Sequence, residues 1–315
     1  ALTAVTISFP IQNIIIAFSV GLSIGVSALL SRYLGMKNEK KASSVAVHGI
    51  ILSALMSLIF VFIAIFFVEP FIKMQTNDPK IISYGIDYLH IVCLFSLGVF
   101  FQIFFEKLLQ STGLTVYTMV TQVIGAVINI ILDPIFIFGL FGFPRLEVKG
   151  AAIATVTGQI LGALIGLLLN LVKNKEVKLT FKGFSMSHLI FKEIFSIGLP
   201  AALMNAITSF ATFFINTILA GFGQSAIAVY GVMFKLQSFE FMPVLGISNA
   251  IVPIISYNFG AGNKERIKKS IELSITWATL MIIFGMIIFM VFPEAILNLF
   301  SATDRMKEIG IPMIR

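Results

Sequence analysis

Charged residues are scarce in this chain of 315 residues, since Asp, Glu, Lys and Arg make up only 12% of it, about half the share found in ordinary soluble domains. Hydrophobic residues make up 58% of the chain, and the mean hydropathy is +1.00. This composition excludes a soluble globular fold. Apolar stretches of about 20 residues, long enough to cross a bilayer, recur along the chain, and they predict an all-α polytopic membrane protein.

Cysteine is also nearly absent. The single residue, Cys93, lies in an apolar stretch and excludes an internal disulfide. No signal peptide is visible either, because the chain opens at Ala1 without a basic region and carries no charge before Arg32. We therefore expect the sequence to begin inside a longer protein.

Eight charge-poor segments predict membrane-spanning helices, and residues 304–315 predict the first turns of a ninth. The eight segments are 4–34, 42–68, 80–110, 114–140, 150–172, 194–221, 224–257 and 270–293.

Basic residues are concentrated in every second loop. Of the 22 Lys and Arg residues, 14 follow the first, third, fifth and seventh predicted spans or lie near their ends. This pattern is typical of cytoplasmic loops, so residues 35–41, 173–192 and 260–269 are predicted inside and residues 69–80 and 141–149 outside. The net charge of +7 thus reflects membrane topology, and we expect the bilayer, not nucleic acid, as the partner.

An internal repeat aligns the start of the chain with its end. A shift of 225 residues places Gly21 on Gly246 and Asn38 on Asn263, with an equally basic loop in each copy. Six spans separate the copies, which predicts helical-bundle lobes built from parallel six-helix repeats. We predict an N-terminal lobe at 1–172, a cytoplasmic linker at 173–193 and a partial C-terminal lobe at 194–315.

Several motifs, in this order, resemble the multidrug and toxic compound extrusion (MATE) family, and in particular its bacterial multidrug branch. They are SRYLGMKNEKKAS and its echo SYNFGAGNKERIKKS, LLQSTG at 108–113, NIILDPIFIFG at 129–139, VKGAAIATVTGQ at 148–159 and IGLPAALMNA at 197–206. The resemblance covers nearly the whole chain.

The resemblance implies a twelve-helix protein in two six-helix lobes that exports drugs by alternating access, driven by Na⁺ or H⁺ and without another cofactor. The chain resembles the second to ninth helices of the family and the start of the tenth. The family's first helix, which commonly carries an acidic residue of the ion site, has no counterpart. We expect small drug-like substrates and a monomer.

Asp133 is the strongest candidate for function, because no other charged residue occurs between Leu108 and Phe143. A carboxylate at membrane depth is costly and is a functional candidate by default. Asn129 lies one turn earlier and Gln122 two turns before that, which predicts a polar stripe. Pro134 removes a backbone hydrogen bond. These oxygens suit a hard cation, and the carboxylate alone suits a proton. The alternative is a helix cap that faces outside water.

The family resemblance adds Thr155 to the candidate cation or proton site. Other polar residues within the spans are candidates for lining a cavity: Gln122, Gln159, Lys235 and Glu240. For Lys235 and Glu240, a compensating ion pair is an equal alternative. Asp87 and His90 share a helix face, but we expect them near the outer surface.

An enzyme is not expected. The three histidines, His48, His90 and His188, are scattered, and the sequence contains no H-E-x-x-H, D-D-x-x-D or G-x-S-x-G motif. A flippase for a lipid-linked oligosaccharide, from the same superfamily, is the closest alternative. Such a cavity needs several basic residues, whereas Lys235 is the only clear candidate.

Overall fold

The computed structural model describes residues 2–181, 184–220, 224–299 and 304–314, and every regular element within these ranges is helical. Seven of the helices are long and apolar enough to cross a membrane, and a bent pair, α3 with α4, makes an eighth span. The all-α membrane architecture predicted from the sequence is confirmed. The helices are α1 (Leu2–Gly35), α2 (Glu39–Gln75), α3 (Pro79–Leu94), α4 (Leu97–Ser111), α5 (Thr115–Phe138), α6 (Val148–Lys173), α7 (His188–Ala220), α8 (Gln224–Gly260), α9 (Lys264–Val291), α10 (Pro293–Leu299) and α11 (Asp304–Ile314).

The third predicted span is not one continuous helix, and the expectation of a single helix over 80–110 is wrong in this respect. It is bent by 46° between α3 and α4. The Phe95 and Ser96 amides close the end of α3 on the Ile91 and Cys93 carbonyls. The Ser96 hydroxyl then donates to the Ser57 carbonyl of α2 at 3.3 Å. The bend therefore coincides with a contact between helices.

The chain divides into two compact units, Ala1–Ile207 and Thr208–Arg315. In the first unit α1 is a central helix, because most of its apolar stretch is buried. One face carries serines at every fourth residue from 19 to 31, all buried. The Ser19 hydroxyl donates to the Val99 carbonyl at 3.4 Å, and the Ser111 hydroxyl to that of Ser27 at 2.7 Å. Small polar side chains thus bring α1 and α4 together.

Glycines form the contact between α1 and α7. A Cβ atom added at Gly21 would lie 2.5 Å from the Cβ of Ala202, and one at Gly25 would lie 2.4 Å from the carbonyl oxygen of Ile194. Both distances are far below van der Waals contact. Only glycine therefore lets these two backbones approach so closely.

The two basic loops of the predicted repeat form the same turn. The Asn38 side chain accepts from the Lys41 amide at 3.1 Å and begins α2, and Asn263 accepts from the Arg266 amide at 3.1 Å and begins α9. The residue before each asparagine has a positive φ, 56° at Lys37 and 70° at Gly262. Each loop also has the same four backbone hydrogen bonds, at an offset of 225 residues. In the first loop, the amides of Met36, Lys37, Asn38 and Ala42 donate to the carbonyls of Arg32, Leu34, Tyr33 and Asn38, respectively. In the second loop, the amides of Ala261, Gly262, Asn263 and Ile267 donate to the carbonyls of Tyr257, Phe259, Asn258 and Asn263.

Candidate functional site

The site predicted around Asp133 lies where α5 and α6 are in backbone contact. A Cβ at Gly158 would lie 2.7 Å from the Gly125 carbonyl oxygen, and one at Gly150 would lie 2.5 Å from that of Phe136. These two glycines of α6 allow the helices to approach this closely. Polar side chains on the facing surfaces consequently come within hydrogen-bonding reach.

Asn129, Asp133 and Thr155 form a polar cluster with Asn129 at its centre. Its Nδ2 donates to Asp133 Oδ1 at 3.4 Å and lies 3.4 Å from the Oγ1 of Thr155. The Thr155 hydroxyl donates to the Ala151 carbonyl at 2.9 Å, which leaves its lone pairs facing Asn129. All three side chains are half-buried. The structure thus places together the three residues that the sequence predicts for cation or proton coupling. α5 continues through Pro134 to Phe138.

Two further side chains, which the sequence analysis missed, extend the cluster to α3 and α1. Tyr88 is 4% exposed, its hydroxyl donates to Gln12 Oε1 at 3.2 Å, and it lies within electrostatic range of Asp133 and Thr155. A tyrosine or glutamine in an apolar helix carries no local signal, because its helical face cannot be assigned without the packing.

Charged residues lie at the end of these helices that the sequence predicts to be outside. Lys149 pairs with Asp87 at 3.3 Å and Arg145 with Glu147 at 3.3 Å, while the Tyr84 hydroxyl donates to Glu147. This hydrogen bond, with the neighbouring positive charge of Arg145, lowers the pKa of the Glu147 carboxyl. The Lys149–Asp87 ion pair and the Tyr84–Glu147 hydrogen bond connect α3 to the start of α6.

Asp87 and His90 share a face of α3 but contact different helices. Asp87 pairs with Lys149, and the His90 Nε2 lies 3.0 Å from the Ala64 carbonyl oxygen. The location of both residues near the outer surface stays a prediction.

Gln122, predicted to lie on the Asp133 stripe, turns to a carboxylate on α4. Its Nε2 donates to Glu106 Oε2 at 3.0 Å. Glu106 is 5% exposed and is a polar residue that the sequence analysis did not select. Gln159 of α6 is half-buried and faces α4. Its Cβ lies 3.4 Å from the position that an added Cβ at Gly98 would take.

In the second unit, Glu240 lies on the wall of a cavity of about 300 Å³ between α8, α9 and α11. A Cβ at Gly285 of α9 would lie 2.8 Å from Glu240 Oε1, so the carboxylate points at that helix. Met233, Phe241 and Met286 are among the apolar side chains of this wall. The side chain of Lys235 lies outside the described residues, and an ion pair with Glu240 stays a prediction.

The cluster around Asp133 offers two kinds of chemistry. One carboxylate, one amide and one hydroxyl supply oxygen atoms of the type that a hard cation such as Na⁺ accepts. The same carboxylate can instead bind a proton, since a neutral carboxyl group is far less costly at membrane depth.

Known proteins with similar sequences are membrane transporters. The sequence pattern of the MatE family matches residues 1–135 and 200–315. The multidrug export protein MepA of Staphylococcus haemolyticus is 31% identical over 98% of this chain and 67% of its own length. The FAD transporter of Shewanella oneidensis is 28% identical over 98% of this chain and 68% of its own. The chain thus spans about two thirds of the length of these relatives.

Solved structures of the same superfamily share the fold. A MOP superfamily transporter from Pyrococcus furiosus superposes with a TM-score of 0.92 at 26% identity, over 100% of this chain and 70% of its own. An outward-facing multidrug resistance MATE family transporter gives a TM-score of 0.93 at 27% identity, with the same shares covered. With its membrane-spanning helices and this match over most of its length, the chain belongs to the MatE family, as a multi-pass transporter of the cytoplasmic membrane and not an enzyme.

Proposed function

We propose that this protein is a cation-coupled antiporter that exports drugs or other bulky organic cations by alternating access, with Asp133 as the group that binds the coupling cation. The observation that carries this proposal is the cluster of Asp133, Asn129 and Thr155 between two membrane-spanning helices. The relatives named for multidrug export support the choice of cargo.

The mechanism follows from the cost of a charge inside the membrane. An empty Asp133 carries a negative charge that Asn129 stabilises through one hydrogen bond of 3.4 Å. Binding of Na⁺ or H⁺ neutralises this charge. The cation-bound and cation-free states of the protein therefore differ by the free-energy cost of keeping an ionised carboxylate away from water. A cation gradient can drive helix movement through that difference.

The test is export by Asp133→Asn in proteoliposomes, with a fluorescent cationic dye and an imposed Na⁺ or H⁺ gradient. Asn keeps the shape of Asp but cannot alternate between a charged and a neutral state. We expect normally folded protein without gradient-driven export. The matched control is Asp87→Asn, which removes an acid of α3 that pairs with Lys149 and should leave export near normal.

Near-normal export by Asp133→Asn, per amount of folded protein, would remove Asp133 from the mechanism. Comparing the two gradients in the wild type assigns the coupling ion, because only the coupled gradient accelerates export.

Export of FAD is a second candidate function, because one relative carries the name of an FAD transporter. The same vesicles loaded with FAD distinguish the two. Gradient-dependent movement of FAD, with none of the cationic dye, would replace the cargo in the proposal and leave the role of Asp133 to be tested in the same way.

A further inference from the structure

A second carboxylate lies inside the first unit, on α4. Glu106 is 5% exposed and accepts hydrogen bonds from Gln102 Nε2 at 3.1 Å, Gln122 Nε2 at 3.0 Å and Thr121 Oγ1 at 3.3 Å. Gln102 belongs to α4 itself, whereas Thr121 and Gln122 belong to α5. The carboxylate therefore joins the two helices.

The donors around Glu106 are neutral, and one of them is shared. The Thr121 hydroxyl lies 2.7 Å from the Thr118 carbonyl oxygen, and its single proton cannot serve both acceptors well. An ionised Glu106 is then stabilised mainly by two amide groups. A buried carboxylate in this setting is costly, and the cost falls when the carboxylate binds a proton.

Lys107 is a charged neighbour that acts on Glu106, and its ammonium donates to Gln110 Oε1 at 2.9 Å. Lys107 makes no ion pair with Glu106. The helices α1, α2, α5 and α6 also pack against α4. The charged or titratable groups that they carry toward the same end are Arg32, Tyr33, Glu39, Lys40, Lys41, His48, Tyr117 and Lys173.

We propose that Glu106 is a second proton-binding site, which holds α5 against α4 when it is ionised and loosens this contact when it is protonated. The ionised form accepts hydrogen bonds from Thr121 and Gln122 and so connects α4 to α5. Protonation forms one O–H bond at a carboxyl oxygen, with the proton taken from water, and removes the charge that strengthens those bonds. Loss of the proton to water reverses the step.

α5 carries the effect to the site of the proposed function, on which this inference rests. Gln122 and Asp133 are 11 residues apart on α5, or about 16 Å along a helix that rises 1.5 Å per residue. Movement of the Gln122 end against α4 therefore displaces Asp133 and Asn129 relative to Thr155 on α6. Glu106 lies near the end of α4 that the basic loops predict to be cytoplasmic, and Asp133 lies toward the opposite end of α5.

Proton binding can be measured directly by infrared difference spectroscopy on the full-length protein in liposomes, titrated from acidic to alkaline pH. We expect a protonated-carboxyl band that is present in the wild type and in Asp133→Asn, lost in Glu106→Gln and restored, at a shifted frequency, in Glu106→Asp. Gln at this position can still accept and donate hydrogen bonds to α5, so the contact with α4 remains. An identical set of carboxyl bands in the wild type and Glu106→Gln would overturn the proposal.

A second variant keeps the test decisive if Glu106→Gln does not fold. Gln122→Met removes a donor from an exposed position of α5 and leaves Glu106 in place. Because the donor stabilises the ionised form more than the protonated form, we expect the carboxyl band of Gln122→Met to persist to higher pH than in the wild type. An unchanged titration would contradict the proposal.

Measurements of dye export distinguish a failure of this inference from a failure of the proposed function. If both hold, Glu106→Gln and Asp133→Asn each lose gradient-driven dye export, and only Glu106→Gln loses the infrared band. If Asp133→Asn abolishes export but Glu106→Gln exports like the wild type, the Glu106 proposal fails alone. If the wild type exports nothing but shows the Glu106 band, the proposed function fails and proton binding at Glu106 stands.

Discussion

Gly25 lies where the backbones of α1 and α7 touch, and an added methyl group has no space there. A Cβ would lie 2.4 Å from the Ile194 carbonyl oxygen. We expect Gly25→Ala to destabilise the folded state by about 1–3 kcal/mol, the usual cost of overpacking, measured as a lower melting temperature in detergent. Gly246 is the control because an added Cβ meets nothing within 4 Å. Gly246→Ala should be neutral or slightly stabilising, and equal melting of the two variants would contradict the packing described.

Single residues differ in how far the sequence could identify them. Asp133 could be predicted, because it is the only charge in a long apolar run, and Asn129 follows from helical spacing. Glu106 could not, because it stands next to Lys107 close to a loop, where an acid is ordinary. Its burial depends on the Gln and Thr side chains that reach it from α5. Only the packing of two helices reveals that arrangement.

At the scale of elements, His48 holds the start of α7 in place. The imidazole is fully buried, with Nδ1 2.7 Å from the Ser44 carbonyl oxygen and Nε2 accepting from the Ser187 amide at 2.9 Å. Phe184 and Phe191 contact the ring edge to face, with centroids 4.8 and 4.9 Å away. One proton on Nδ1 satisfies both polar contacts, so a neutral ring joins α2 to the residues before α7.

We expect His48→Ala to leave the Ser187 amide without its acceptor, at a local cost of about 1–3 kcal/mol. Amide hydrogen exchange around Ser187 should then be about tenfold faster or more, as measured by mass spectrometry. His188→Ala provides the matched control, since His188 is exposed. If both variants exchange alike in this segment, His48 does not hold it.

Helix ends that depend on nearby residues in the sequence are easier to predict than breaks that depend on contact with another helix. The predicted spans begin three residues after the start of α2 and six after that of α9, where an asparagine after a glycine-bounded loop caps each helix through its own side chain. The break between α3 and α4 could not be predicted, since the two residues at the break, Phe95 and Ser96, are neither proline nor glycine. The bond from Ser96 to the Ser57 carbonyl comes from another helix.

At the scale of the whole molecule, the basic loops predict which ends of the helices face the cytoplasm. In a Cys93→Ala background, we expect Lys40→Cys to react with a membrane-impermeant thiol reagent only in inverted vesicles, and Lys80→Cys only in intact cells. Both lysines are exposed and Cys93 is buried, so access depends on the membrane alone. Labelling of Lys40→Cys from outside would reverse the predicted orientation.

The matching turns before α2 and α9 have a consequence for how this protein enters the membrane. Each asparagine cap joins residues only three apart, and each turn is completed by bonds within a span of eleven residues. Such a turn needs no partner helix, so it can form as soon as the ribosome releases it. The hairpins α1 with α2 and α8 with α9 can therefore each insert as a preformed pair, and mutations that change packing deeper in either unit leave this early step intact.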